Sequence, residues 1–193
     1  AQFNTTNKFL KNSLAKEHPE GIDDWEEPNS KTTFIIGKSK SVVNKVESPD
    51  VGMAYSLNPY QGCEHGCVYC YARNTHEYWG YSAGLDFERK IIVKKNAAEL
   101  LEKEFSNKNW KPQPIMLSGN TDCYQPIEKE LEITRSILKV CLKYKHPISI
   151  ITKNKIRFNL AMRESQSQYV LYTITLTYSY IPPRIEKVLP LKI

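Results

Sequence analysis

Between residues 53 and 155 the chain alternates short apolar runs with stretches of helical spacing. MAYSL, Met53 to Leu57, has strand length and stops before Asn58 and Pro59, where proline turns the chain out of a regular strand. KIIVKK is a second extended piece. It leads to Asn96, a helix-starting residue with Glu99 three positions later. Leu101 and Phe105, one turn apart, mark the buried face of that helix. PIMLS, Pro114 to Ser118, is another strand-length run, followed by GNTD and then Pro126, which is favoured in a first helical turn. Ile127, Leu131, Thr134, Leu138 and Cys141 then recur at helical spacing, and HPISIITK supplies a further strand ending at Lys153. The order strand, loop, helix, strand, loop, helix, strand predicts an α/β fold of parallel βα units. Such folds bind ligands beyond the carboxyl ends of their strands, so the loops after Leu57 and Ser118 and the strand end at Lys153 share one rim.

On either side the pattern changes. Residues 1–50 form a polar N-terminal extension, poorly periodic up to residue 30, and Glu20 to Glu27 read as an exposed acidic linker. TTFII and SVVNKV, within Lys31 to Val46, are short β-branched runs expected to be edge strands or extended chain. Residues 51–155 form the core. Residues 156–193 are a tail rich in Tyr, Thr and Ile.

Composition narrows the class. At 193 residues and 40% hydrophobic, the chain can bury one core. A 25% charged fraction and the lack of a long apolar run argue against a membrane protein, and free thiols point to the cytoplasm. The net charge of +6 suits a nucleic-acid partner, but the lysines are spread without a dense basic run and equally describe a solvated surface.

The candidate chemistry lies in SLNPYQGCEHGCVYCYAR, where Cys63, Cys67 and Cys70 stand at C-x3-C-x2-C spacing with Tyr69 before the last cysteine. Five cysteines, an odd number, and no signal segment argue against a disulfide framework. A cubane 4Fe-4S cluster takes thiolate ligands from such a loop, and three of them leave one iron open. Gly62 and Gly66 fit a loop that must curl closely round a cluster. A tetrahedral Cys3His zinc site, with His65 or His76 as the fourth ligand, is the other chemistry the residues allow. The alternative function is a non-catalytic module that binds zinc or a cluster.

The loop and the segments NPYQGCEHGCVYCYARNTHEYWGYSAGLDFERKI, KNAAELLEKEF, LSGNTDCYQPIEKELEITRSIL and ISIITKNK resemble the radical S-adenosylmethionine enzymes, in the branch similar to spore photoproduct lyase. The resemblance covers roughly residues 30 to 155. It implies a partial (β/α) barrel, of which this chain carries the N-terminal portion. It also implies a 4Fe-4S cluster on Cys63, Cys67 and Cys70 whose open iron binds S-adenosylmethionine. An external electron donor such as flavodoxin or ferredoxin would reduce the cluster, and cleavage of the cofactor would give a 5′-deoxyadenosyl radical. The cofactor supplies that chemistry and the protein orients and shields it.

The resemblance assigns further residues. Tyr69 would contact the adenine, or simply pack on the loop. Gly119, Asn120 and Thr121 would lie beside the methionine end. Asp122 would orient the amino group or cap the following helix. Lys153 would suit the carboxylate, or be a surface lysine. Cys123 is a candidate hydrogen donor, whereas Cys141, on the apolar helix face, is expected to be a core residue. In spore photoproduct lyase the donor cysteine falls where Gly119 or Asn120 stands here, which puts thymine-dimer reversal in doubt.

After about Lys155 the family pattern fails. The expectation is a damaged or frameshifted coding sequence, leaving the front half of a longer enzyme with weak or uncoupled cofactor cleavage. The alternative is a short variant in which YVLYTITLTYSYI forms an edge strand.

Overall fold

A computed structural model of the protein describes residues 3–10, 31–47, 52–154 and 174–175. The acidic stretch Glu20 to Glu27 and most of the tail lie outside these residues. The strands are β1 (Thr33–Ile36), β2 (Val43–Lys45), β3 (Tyr55–Leu57), β4 (Tyr60–Gln61), β5 (Lys90–Val93), β6 (Ile115–Leu117), β7 (Ile148–Ile151) and β8 (Ile174–Thr175). The α-helices are α1 (Leu85–Arg89), α2 (Ala97–Phe105), α3 (Glu128–Leu131) and α4 (Ile133–Lys143), and a 3₁₀ helix runs from Tyr71 to Trp79.

The parallel βα units expected from the sequence form a five-stranded sheet in the order β2-β3-β6-β7-β8. β3, β6, β7 and β8 are parallel, and β2 runs antiparallel along the edge. The register sets Leu57, Leu117 and Ile150 in one row, all fully buried. Helices α2 and α4 pack together and close this core with Ala97, Leu101, Phe105, Ile137 and Cys141. Cutting any of the row to Ala would cost about 2–5 kcal/mol, the usual range for a buried large-to-small change.

KIIVKK belongs to a different sheet. β5 lies between β1, its parallel partner, and β4, its antiparallel partner. β4 directly follows Pro59, so the chain leaves the main sheet and joins the second one within two residues of the end of β3. The cysteine loop begins there, where the two sheets meet.

Two local expectations are corrected. Asn96 precedes α2 but does not cap it with its side chain; its Nδ2 donates to the Ser39 carbonyl at 3.1 Å instead. The single helix expected after Pro126 is two, because Glu132 takes a left-handed conformation (φ 48°) between α3 and α4. The buried Glu128 bridges the break: its Oε1 accepts from Thr134 N at 2.9 Å and Arg135 N at 3.3 Å, satisfying amides that α4 itself leaves unbonded. Residues 3–10 are irregular, as expected of the extension, and are docked on the core. Asn4 pairs with Asp86 through both its amide nitrogen (3.0 Å) and its oxygen (2.8 Å). Phe9 stacks on Tyr78 with centroids 4.8 Å apart.

In the tail, Ile174 and Thr175 pair in parallel with Ile150 and Ile151. The rest of that apolar run lies outside the described residues.

Candidate functional site

Parallel pairing of β3, β6 and β7 brings three loops to one rim: residues 58–70, 118–122 and 152–154. Buried polar side chains stitch them together. Asn58 Oδ1 accepts from Asn120 N at 2.9 Å and Thr121 N at 3.3 Å, and Thr121 Oγ1 donates to the Tyr60 carbonyl at 2.6 Å. Gln125, fully buried, accepts from Glu64 N at 3.0 Å. Each bond removes a buried polar group that would otherwise cost about 1–3 kcal/mol.

The cysteine loop turns on two left-handed glycines, Gly62 (φ 84°) and Gly66 (φ 59°). A Cβ on Gly62 would fall 2.9 Å from the Phe87 carbonyl oxygen and 3.0 Å from that of Lys90, so both conformation and space demand glycine. Arg73, one turn past Cys70, anchors the loop from outside. Its guanidinium donates to the carbonyls of Gly66 (2.9 Å), Cys67 (2.9 Å), Ala83 (3.2 Å) and Gly84 (3.1 Å), and it pairs with Glu88.

The three cysteines are free thiols on one loop. Cys63 is buried against Ala72 and Phe87, and burial pushes its thiol up to about 11. Among the described residues no group of three or more His, Cys, Asp or Glu side chains converges to hold a metal ion. The loop therefore offers three donors of suitable chemistry on a glycine-turned backbone, not a closed cage.

Asp122 is the buried hub of the rim. Its Oδ1 accepts from Tyr124 N (2.8 Å) and Thr152 Oγ1 (2.7 Å); its Oδ2 accepts from Lys153 N (2.7 Å) and lies 3.3 Å from His65 Nε2. Burial alone would raise its pKa, but these donors together hold it below the ordinary Asp value. It does not cap the following helix, which starts at Glu128.

Lys153 crosses the rim. Its Nζ lies 2.8 Å from Cys67 Sγ and 2.8 Å from the Tyr69 hydroxyl, and 4.7 Å from the centre of the Tyr69 ring. Burial opposes the charge, yet the Cys67 and Tyr69 contacts hold its pKa above the ordinary lysine value. Tyr69 is 63% exposed, so it is not spent on packing. Gly119 accepts from the Tyr71 hydroxyl, and Asn120 is exposed.

Cys123 sits elsewhere. It is fully buried in the main core, with its carbonyl accepting from Thr134 Oγ1 at 2.8 Å, and burial drives its thiol far above the ordinary range. Although adjacent to Asp122 in sequence, it does not open onto the rim. Cys141 is a core residue, with its thiol raised by burial to about 12.

Among proteins of known sequence, this chain is 32% identical over 157 residues to uncharacterized proteins of Mycobacterium bovis and Mycobacterium tuberculosis, covering 80% of this chain and 46% of theirs. It is 36% identical over 128 residues to an uncharacterized protein of Methanocaldococcus jannaschii, covering 66% of this chain and 45% of that one. The chain thus spans about half the length of the curated relatives it matches. No family model matches it, and no solved structure does.

Asn58, Arg73 and Gln125 escaped the sequence reading. Asn58 and Gln125 carried one signal: each is polar beside an apolar strand or helix start, where a buried side chain must find partners on another loop. Arg73 looked like any surface arginine. No helix among the described residues is long and apolar enough to cross a membrane.

Proposed function

We propose that the chain is the cluster-bearing part of a radical S-adenosylmethionine enzyme of the spore photoproduct lyase-like branch. On this reading Cys63, Cys67 and Cys70 hold a 4Fe-4S cluster, and β3, β6 and β7 begin a partial (β/α) barrel. The observation that carries the reading is the convergence on one rim of the Cys67 thiol, the Tyr69 ring and the Lys153 ammonium, from loops after two different parallel strands. The bound group supplies reductive, one-electron cleavage of S-adenosylmethionine, fed by a flavodoxin- or ferredoxin-type donor.

The chain's own residues bind and orient. Lys153 offers a fixed cation to the cofactor's carboxylate. Tyr69 offers an exposed aromatic face to the adenine. Gly119, Asn120 and Thr121 present a rim whose backbone is already tied to Tyr71 and Asn58, so it need not be ordered on binding. Asp122 fixes the Lys153 backbone and steadies the rim.

A Cys3His zinc site on His65 or His76 is the alternative chemistry, and metal analysis separates the two. His65 lies against Asp122, and His76 is fully buried between Tyr81 and Phe87.

Anaerobic reconstitution with iron and sulfide tests the proposal. The expected result is about four irons per chain, as a cubane requires, with a broad visible absorption. Alanine variants of Cys63, Cys67 or Cys70 should lose it. Stoichiometric zinc with no retained iron would defeat the reading.

A further inference from the structure

Strand β2 forms one edge of the five-stranded sheet and, among the described residues, pairs only with β3. Two clefts of about 390 and 300 Å³ lie between β2 and the second half of α2. They share Val43, Glu104 and Asn107 in their walls and so form one trough along the edge.

The backbone there is set up for a further strand. Val46 N donates to Ala54 O at 2.8 Å, and the register continues as Lys45 with Tyr55 and Asn44 with Ser56. Bonded and non-bonded pairs alternate in an antiparallel ladder, so Asn44 bonds inward while the amides and carbonyls of Val43 and Lys45 turn to the outer edge. The Val43 carbonyl meets Ser41 Oγ at 3.2 Å, consistent with that outward turn.

The charge of the trough is one-sided. Lys40, Lys45, Lys103 and Lys111 line it, against the carboxylate of Glu104. All four lysines are exposed, and among the described residues none is paired with an acid.

We propose that this trough binds an extended acidic segment of a partner protein, which adds a strand to β2 and sets its carboxylates among the four lysines. Strand addition supplies affinity through main-chain bonds, while the lysines choose an acidic sequence. A nucleic-acid strand is a poorer match, because the outward Lys45 carbonyl needs a donor that a phosphate backbone lacks. The inference is independent of the cluster reading.

The test uses the 193-residue chain and a labelled synthetic peptide alternating Glu with Val, followed by fluorescence anisotropy. A Lys-Val peptide and a single-stranded oligonucleotide serve as comparisons. The Glu-Val peptide should bind while the Lys-Val peptide does not. The charge reversal Lys103→Glu with Lys111→Glu, at two exposed positions, should weaken binding by at least about tenfold. Lys45→Pro removes an outward amide together with one of the four ammoniums and leaves the β3 ladder whole, so it should weaken binding more than Lys45→Ala, which removes the charge alone, while preserving the circular dichroism spectrum. Equal binding of the two peptides, tighter binding of the oligonucleotide, full binding by the charge-reversed variant, or binding by Lys45→Pro no weaker than by Lys45→Ala would overturn the proposal.

Discussion

Lys153 and Cys67 stand 86 residues apart in sequence, yet the lysine ammonium lies 2.8 Å from the cysteine sulfur. The contact exists because β7 runs parallel to β6 and β6 to β3, which sets both loops on the same rim. It ties the proposed cofactor cation to the proposed cluster loop. Lys153→Met keeps the length of the side chain and removes the charge. In reconstituted protein it should leave iron content unchanged and weaken S-adenosylmethionine binding by about tenfold, the worth of one charge-assisted bond. Equilibrium dialysis against labelled cofactor checks this. Unchanged affinity would remove Lys153 from the cofactor site.

Arg73 should govern the loop before any metal arrives. Its guanidinium reaches four carbonyls and Glu88 from a side chain only 12% exposed. Lysine cannot reproduce that fork. Arg73→Lys should therefore destabilise the metal-free chain by about 1–3 kcal/mol, read as a lower urea midpoint. It should also speed proteolysis within residues 63–70. A variant as protease-resistant as the parent would show that the glycine turns hold the loop alone.

Much of this architecture was legible because it is local. Runs such as PIMLS and ISII, and the spacing of Leu101 and Phe105, report burial directly, and β6, β7 and α2 lie where those patterns put them. The cysteines announced themselves by spacing. What stayed hidden depends on distant partners. Nothing near KIIVKK says that it pairs with β1 and β4. Nothing near Asp122 says that its donors come from Thr152, Lys153 and His65. The break at Glu132 was masked because Ile127 to Cys141 keeps an apolar rhythm across it, and only the bonds from Glu128 show why two helices suit the chain better than one.

Acid should unfold the chain in two stages. Burial drops His76 from its ordinary value to about 4. Between pH 6.5 and 4 the unfolded chain therefore binds the proton more readily than the native one, and stability falls as pH falls, by up to about 1.4 kcal/mol per unit. Above pH 6.5 this dependence is absent. Asp122 acts lower down: its folded pKa is depressed, so its contribution is complete above its unfolded value near 4 and is lost as pH falls below that. Urea unfolding from pH 7 to 3 checks both. His76→Leu should make the first stage shallower, leaving the share of His146, whose pKa burial also lowers, and spare the second, whereas Asp122→Asn should do the reverse. A single acid transition, unmoved by His76→Leu, would refute the assignment.

The left-handed residue between α3 and α4 offers a gain in stability. Glu132 holds φ 48° although it carries a Cβ, which costs about 1–2 kcal/mol relative to an unstrained site. Its carboxylate makes only an exposed pair with Arg135 at 3.1 Å, the kind worth about 0–1 kcal/mol. Capping of α4 comes from Glu128 and survives the change. Glu132→Gly removes the strain at the expense of some extra freedom in the unfolded chain. The net effect should be a stabilisation of about 0.5–1 kcal/mol, visible as a higher urea midpoint with the same slope. Glu132→Ala keeps the Cβ and loses the ion pair, so it should be no more stable than the parent. If glycine and alanine behave alike, the left-handed turn carries no strain, and the two helices are separated by the pull of Glu128 alone.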